Sequence, residues 1–153
     1  MLKFIVVIII FFIGIVIGAY LFSDTQPRMV FDIKNCSEDC FNRDELAGLL
    51  VSAGIQKTSS IVPKVIKETE KTIVVDHPTP ETEIHYVVFP KKDIKNISEI
   101  SKEDQDYVMD ALATIREIVK EKELVDYQVI TNGPGQQQIT YLHFHLMAGS
   151  FKE

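Results

Sequence analysis

The chain has 153 residues, of which 46% are hydrophobic, and a formal net charge of −6 at pH 7. Its first 22 residues contain 19 apolar residues and a single charge, Lys3, so the other 131 residues have the composition of an ordinary soluble domain with a net charge of −7. This distribution excludes a multi-pass membrane protein and a disordered acidic chain, and it argues against nucleic-acid binding through bulk charge.

The apolar N-terminal segment predicts a single membrane-spanning helix. Residues 4–22 contain no charge, and at 1.5 Å per residue they span about 28 Å, close to the hydrocarbon thickness of a bilayer. A cleaved signal peptide has a shorter apolar core followed by small residues, so we expect an uncleaved single-pass anchor over residues 1–22. The positive charges on the two sides of this segment are nearly equal, with Lys3 and the terminal amine before it and Arg28 and Lys34 after it. The sequence therefore leaves open the side of the membrane on which the remaining chain lies.

A linker and a short helix are expected between this anchor and residue 64. Residues 23–35 include Pro27 and mixed polar side chains, a composition typical of a juxtamembrane linker. Asn42 is a good helix N-cap and Gly54 a good C-terminal stop, which together predict a helix over residues 43–53. The predicted units are therefore residues 1–22, 23–63 and 64–153.

The last unit combines strand and helix signals. β-Branched and aromatic runs predict strands over residues 65–67, 72–75, 85–89, 127–131 and 138–147, separated in part by a polar turn at 68–71, a proline loop at 77–82 and a turn at 132–135. Apolar residues recur at helical spacing from Tyr107 to Val119, and Ser101 with Asp104 predicts the helix start. This order indicates an α+β fold, an antiparallel sheet with one long helix, preceded by the single membrane helix.

The predicted strand over residues 138–147 carries the residues with chemical potential. Alternation sends one set of side chains to one face (Ile139, Tyr141, His143, His145 and Met147) and the other set to the core (Thr140, Leu142, Phe144 and Leu146). Two histidines on one face can reach the same ligand, although such pairs also occur as structural residues or metal ligands. The glycine-rich turn before the strand allows backbone N–H groups to approach an anion closely.

These residues resemble the signature of the histidine-triad (HIT) superfamily of nucleotide hydrolases and transferases. That signature is His-x-His-x-His followed by two apolar residues, and an Asn-Gly turn and a glutamine precede it. The matching residues, including an upstream run, are Asn132, Gly133, Gln137, His143, His145, Leu146 and Met147, with Asp76, Pro80, His85, Pro90, Lys91 and Lys92. Tyr141 stands where the family has its first histidine, and it is not a cation near neutral pH. A shifted register would put Met147 in place of the third histidine and misalign Gln137.

The resemblance implies a HIT-like homodimer that acts as a nucleotide hydrolase or nucleotidyltransferase and requires no cofactor. His143 would attack the α-phosphorus of a nucleotide or nucleotide conjugate to form a nucleotidyl-histidine, and His145 would stabilise the developing charge. The expected phosphate-binding residues are Asn132, Gly135, Gln137 and Gln138. Two further functions stay open: a nucleotide-binding module without turnover, and a zinc-binding protein.

Three other candidates for the site also have a purely structural explanation. Asp76, or His77 one residue later, would bind the ribose hydroxyls by resemblance, but Asp76 is also typical of a turn. His85 would support the site, or it is a hydrogen-bonded core histidine. Only one residue of the 136–138 glutamine run need lie in the site.

The two cysteines leave three alternatives open. Many members of the resembled family bind structural zinc through an N-terminal Cys-x₂-Cys pair and two histidines. Cys36 and Cys40 are one residue further apart, so zinc binding with a histidine such as His85, a disulfide in an oxidising compartment, and free thiols inside the cell are all compatible with the sequence.

Overall fold

The computed structural model describes residues 2–31, 40–57 and 59–151. Its helices are α1 (Leu2–Phe22), α2 (Arg43–Lys57) and α3 (Gln105–Glu121), and its strands are β1 (Val65–Glu68), β2 (Thr72–Asp76), β3 (Thr82–Pro90), β4 (Tyr127–Ile130) and β5 (Phe144–Phe151). The strands form one antiparallel sheet in the order β1-β2-β3-β5-β4. The predicted α+β class is confirmed.

The apolar N-terminal segment forms α1. Its span Lys3–Phe22 has a mean hydropathy of 3.1 and is 0% buried. By length and composition it meets the criterion for a membrane-crossing helix, and an N-terminal signal sequence meets the same criterion.

Helix α3 covers one face of the sheet. Ala111, Ile115 and Ile118 of α3 pack in one buried cluster with residues of alternating sheet positions, namely Val74, Tyr86, Val88, Leu142, Phe144 and Leu146. The intervening side chains point to the opposite face. There, Ile73, Val87, Phe89 and Tyr141 form a second cluster with Ile55 of α2. We call this second side of the sheet the site face.

Side-chain caps lie at the start of α2 and just before α3, at the positions that the sequence predicts. Asn42 Oδ1 accepts a hydrogen bond from Glu45 N at 3.1 Å. The Asp104 carboxylate accepts from both N and Oγ of Ser101, at 2.7 Å each. This reciprocal cap satisfies backbone donors that a helix start leaves unpaired, and it leads through a short 3₁₀ turn, Lys102–Asp104, into α3.

Helix α2 continues past Gly54, so the predicted stop at this residue is wrong. The additional turn is held by side chains: Lys57 pairs with Asp24, and Gln56 Nε2 donates to Ser52 Oγ at 2.7 Å. Glycine inside a helix costs about 0.5–1 kcal/mol relative to alanine. These contacts offset that cost, and the helix ends at Lys57.

Gly48 and Gly54 provide a matched pair of test positions on α2. A Cβ at Gly48 would lie 2.5 Å from Thr140 Oγ1 and 2.7 Å from Thr140 O, whereas a Cβ at Gly54 would meet nothing within 4 Å. We expect Gly48→Ala to lower the free energy of unfolding by about 1–3 kcal/mol through overpacking. Gly54→Ala should raise it by about 0.5–1 kcal/mol. Chemical denaturation of both variants checks this, and equal stabilities would contradict the packing argument.

The segment predicted as a linker is attached to the domain. Arg28 pairs with Asp93 and donates to the carbonyl and hydroxyl oxygens of Thr140. Gln26 N donates to Asp93 Oδ2 and Gln26 Nε2 to Asp93 O, both at 2.7 Å. The side chains of Arg28 and Asp93 are each 1% exposed. A buried ion pair therefore holds residues 26–28 against the loop that follows β3.

Strand β5 begins at Phe144, so the predicted start at residue 138 is wrong. The last pair that β3 makes with β5 is Val88 with Phe144, and the chain before Phe144 bonds elsewhere. Thr140 N donates to Asp44 O at 3.2 Å, and Leu142 N donates to Ile94 O at 2.6 Å. The predicted alternation of side chains nevertheless persists through residues 141 and 142, which lie in the two different clusters.

Candidate active site

A cavity of about 510 Å³ opens on the site face. All four histidines of the chain line it: His77, His85, His143 and His145. Apolar residues of the sheet and its loops form much of the remaining wall, namely Val75, Val87, Phe89, Ile130, Ile139 and Met147. None of the described lining residues is a lysine or arginine, and one of them is the acidic residue Glu81, so an anion bound here would depend on uncharged donors and imidazoles.

His143 is buried and is held by the main chain. Its Nδ1 lies 2.6 Å from Tyr141 O. Because a carbonyl only accepts, we assign the proton of the neutral ring to Nδ1, and Nε2 keeps a lone pair. Burial lowers the pKa of His143 below its ordinary value, with a smaller effect from His77, while the bond to the carbonyl opposes the shift. His143 is therefore neutral at pH 7.

A hydrogen-bonded pair of histidines lies beside it. His85 Nε2 is 2.9 Å from His145 Nδ1, and Glu81 N donates to His85 Nδ1 at 3.2 Å. Since the backbone N–H makes His85 Nδ1 an acceptor, neutral His85 carries its proton on Nε2 and donates it to His145 Nδ1. Neutral His145 in turn carries its own proton on Nε2. The pair thus presents an N–H donor on His145, whose ring centroid is 4.9 Å from that of His143.

Strand register brings this pair together. His85 lies opposite Met147 and Val87 opposite His145, so the two histidines are diagonal neighbours on adjacent strands. Burial first, and then the neighbouring imidazoles of His143, His85 and His77, lower the pKa of His145 to about 4. His145 is therefore uncharged at neutral pH and acts as a hydrogen-bond donor.

His77 completes the group from the loop after β2. Its ring stacks on His85 with 4.0 Å between ring centroids and 5° between planes. The backbone supports this stack, since His77 N donates to His85 O at 2.8 Å. The ring of His77 is 5.7 Å from that of His145, and the rings of His143 and His145 are 4.9 Å apart.

Comparison with known proteins decides the family. Residues 53–153 match the family model described as scavenger mRNA decapping enzyme C-term binding. The chain belongs to this family. An uncharacterized HIT-like protein of Synechococcus elongatus is 30% identical over 88 residues, which are 56% of this chain and 77% of the relative. A HIT-like protein of Chlamydia pneumoniae is 28% identical over 85 residues, with coverages of 54% and 77%.

Solved structures show the same HIT-like fold. A HIT family hydrolase from Legionella pneumophila Philadelphia 1 has a TM-score of 0.57 at 21% identity, over 63% of this chain and 90% of its own. A histidine-triad protein from Clostridium difficile has a TM-score of 0.56 at 26% identity, over 63% and 88%. The predicted HIT-like fold is confirmed for the matched part of the chain.

The HIT-like domain brings several other predicted residues to the cavity. Asn132 and Gln138 line it, and so does Gln136, so two residues of the 136–138 glutamine run lie at the cavity where one was expected. Of the two alternatives for the ribose-binding position, His77 lines the cavity and Asp76 does not. The sequence pattern does not distinguish Gln136 from the neighbouring glutamines, because the path of the turn decides which of these side chains face the cavity.

Gln137, Gly135 and Asp76 are predicted substrate-binding residues that do not line the cavity. Gln137 is buried, and its Nε2 donates to Lys95 O at 3.1 Å and to Tyr141 O at 3.4 Å. Gly135 has a φ of 85°, so the turn needs its left-handed backbone. Asp76 ends β2 with its backbone N–H bonded to Lys64 O at 3.0 Å. Gln137 therefore supports the backbone around it, Gly135 allows the shape of the turn, and Asp76 is held through its own backbone N–H.

Tyr141, which replaces the first histidine, is also outside the cavity lining. Its side chain is fully buried in the second cluster, and its hydroxyl donates to Pro90 O at 2.6 Å. Burial raises the pKa of Tyr141 well above its ordinary value, so the hydroxyl stays neutral. What Tyr141 gives the site is its carbonyl oxygen, which makes it a positioning residue for His143.

The structure describes one of the two cysteines. Cys36 lies outside the described residues, and Cys40 is disulfide-bonded. A cysteine in a disulfide does not offer the thiolate that zinc binds. Of the three alternatives for Cys40, the structure therefore contains the disulfide, and Cys40 is not a zinc ligand in it. Zinc binding by other residues of the chain stays a prediction.

Proposed function

We propose that the HIT-like domain hydrolyses or transfers a nucleotide at its α-phosphate through a nucleotidyl-histidine at His143. The observation that carries this proposal is the 2.6 Å contact between His143 Nδ1 and Tyr141 O. It leaves the Nε2 lone pair of a neutral imidazole as the nucleophile in a cavity. The Legionella protein is called a HIT family hydrolase, and the family model is that of a decapping enzyme, so both support the same class of chemistry.

The proposed reaction has two displacements at phosphorus. In the first, His143 Nε2 forms a bond to the α-phosphorus while the bond to the leaving group breaks, and the leaving group takes a proton from solvent. In the second, water attacks the phosphorus while the bond from phosphorus to His143 Nε2 breaks, the proton lost by water passes to solvent, and the nucleoside monophosphate and neutral His143 are released. A different acceptor in place of water gives transfer. The nucleophile of the first step is thus a side chain of the protein, and the nucleophile of the second is water or the acceptor.

His145 is assigned as the donor to the reacting phosphoryl group. The hydrogen-bond order from Glu81 N through His85 leaves the proton of His145 on Nε2, and its ring is 4.9 Å from that of His143. An N–H fixed at this position stabilises charge as it develops on a phosphoryl oxygen or on the leaving atom. The role of His85 is to hold this orientation.

The cavity suits a nucleotide in size and polarity. Its volume of about 510 Å³ lies within the roughly 300–1,000 Å³ typical of small-molecule sites. Phe89, Ile130 and Ile139 offer an apolar wall for a base, and Asn132 with the neighbouring glutamines offers amide donors for phosphate oxygens. We assign His77 to the ribose side, in place of Asp76.

A second candidate function is nucleotide binding without turnover, and the tyrosine at position 141 favours it. Against it stands the main-chain role of this residue: the carbonyl that orients His143 is present whatever the side chain. Incubation of the full chain in detergent with a nucleoside phosphoramidate, a dinucleotide polyphosphate and a cap dinucleotide separates the two functions. Release of a nucleoside monophosphate supports the enzyme, and thermal stabilisation without product supports the binding module.

The pH dependence of turnover tests the state of His143. Only the neutral imidazole is a nucleophile, and burial lowers the pKa of His143 from 6.5. We therefore expect kcat/KM to stay level as the pH falls from 8 to about 6.5 and to decrease only below that value. A kinetic profile with a substrate that does not titrate in this range measures it. A decrease that begins above pH 7 would show that the pKa is raised.

A further inference from the structure

Three of the four cavity histidines converge on one point. One ring nitrogen from each of His77, His85 and His145 lies within 4.8 Å of the other two. His143 does not belong to this set. The cavity thus contains a three-imidazole group directly beside the proposed nucleophile.

We propose that His77, His85 and His145 bind one transition-metal ion of the zinc class, and that the bound ion stops turnover at His143. Imidazole nitrogens are zinc ligands at about 2.0–2.1 Å, and three protein ligands leave a fourth position open for water or a phosphate oxygen. All three histidines line the cavity. The site uses neither cysteine, so it is distinct from the zinc site that the cysteine pair suggests.

Small movements complete the geometry. Ligands on a tetrahedral ion at these bond lengths are about 3.3–3.4 Å apart, so the nitrogens of His85 and His145, now 2.9 Å apart, must separate slightly. His77 must move inward. It lies in a loop in which Pro78 and Thr79 are exposed, whereas His85 and His145 belong to paired strands. The ligand that needs to move furthest is therefore the one that strand pairing does not hold in place.

The inhibitory part of this proposal rests on the proposed function, whereas metal binding does not. An ion that takes a nitrogen of His145 replaces the hydrogen bond from His85 that orients His145. It also places a dication in the space between the histidines that the reacting phosphoryl group needs. Mg²⁺ and Ca²⁺ prefer oxygen ligands, so we expect inhibition by Zn²⁺ and none by Mg²⁺ or Ca²⁺ at the same concentration.

Zinc titration of the full chain in detergent tests the site. We expect one Zn²⁺ per chain by metal analysis after equilibrium dialysis, and the same stoichiometry for His143→Ala, which removes a cavity histidine outside the ligand set. His77→Ala should weaken zinc binding by at least about 100-fold, since loss of a ligand costs more than the roughly 10–100-fold lost with a hydrogen-bonding partner of a ligand. His77 is the variant of choice because it lies in a loop and its removal spares the sheet.

The outcomes are separable. Zinc binding that His77→Ala leaves unchanged, or that His143→Ala weakens equally, would overturn the ligand assignment, and so would the absence of bound zinc in the wild-type chain. Zinc that Cys40→Ser removes but His77→Ala does not would belong to the cysteine pair and would also overturn it. Because His143→Ala has no nucleophile, its zinc binding is measured independently of turnover. A failed hydrolase assay therefore leaves the metal site testable, and failed zinc binding leaves the hydrolase testable.

Discussion

Replacement of His143 by alanine is expected to lower kcat by at least about 10⁴-fold with each accepted nucleotide, because the covalent route is lost with its nucleophile. The ring is held by a main-chain carbonyl, so its removal should change the backbone little. Release of nucleoside monophosphate under saturating substrate is the measurement. Nucleotide-dependent thermal stabilisation should persist in the variant, which shows that the cavity still binds its ligand.

A companion variant separates the nucleophile from its neighbour. His145→Asn keeps His143 but removes the N–H donor, so we expect kcat to fall by about 10²–10³-fold. Acid quenching followed by mass spectrometry should still detect chain carrying one nucleoside monophosphate. In His143→Ala this adduct should be absent. An adduct in His143→Ala, or turnover equal to that of the wild type, would contradict the assignment of His143.

Replacement of Arg28 by alanine is expected to lower the free energy of unfolding by about 3–5 kcal/mol, the cost of leaving one partner of a buried ion pair uncompensated. The Asp93 carboxylate has two supports from the N-terminal segment, Arg28 and the backbone N–H of Gln26. Burial raises the pKa of Asp93, and the charge of Arg28 acts in the opposite direction. Without Arg28 the carboxyl group should therefore take up a proton at a higher pH.

Two controls define this effect. Arg116 is exposed on α3, so Arg116→Ala should change stability by no more than about 0.5 kcal/mol. The double variant Arg28→Ala with Asp93→Ala should cost less than the sum of its two single variants, because Asp93 is then not left without its partner, whereas Glu45, 3.8 Å from Arg28, loses its partner in the Arg28 single variant and in the double variant alike. Chemical denaturation of the full chain in detergent measures all of them. An Arg28→Ala variant as stable as Arg116→Ala would show that the ion pair is not a stabilising contact.

Much of the fold follows from local signals. Asn42 and the Ser101–Asp104 pair predict helix starts because a cap acts over three residues, within reach of a sequence pattern. Strand β3 begins at Thr82, three residues before its predicted start. Two other errors, the helix stop at Gly54 and the start of β5, have a common cause. In each case contacts with distant residues, Asp24 for α2 and Ile94 for the chain before β5, outweigh the local preference.

In the candidate site, too, local patterns predict some features and contacts between distant residues determine the others. A strand pattern is sufficient to put His143 and His145 on one face, and the cavity contains both. The bond between His85 and His145 depends on the register of two strands that are 60 residues apart in sequence, and no local pattern encodes it. Gln137 shows the converse, because its side chain turns toward the carbonyl oxygens of Lys95 and Tyr141, and only the folded path of the chain reveals this.

Tyr141 has a consequence for how such sites are recognised and redesigned. A motif of three histidines counts side chains, yet the atom that sets the tautomer of the nucleophile belongs to the peptide unit of residue 141. Every amino acid at position 141 keeps this carbonyl oxygen. The orientation of His143 therefore tolerates a change of side chain as long as the replacement fills the same buried volume and keeps the backbone in place. Selection of variants at this position should therefore favour large side chains that fit the core, and imidazole chemistry should not be a requirement.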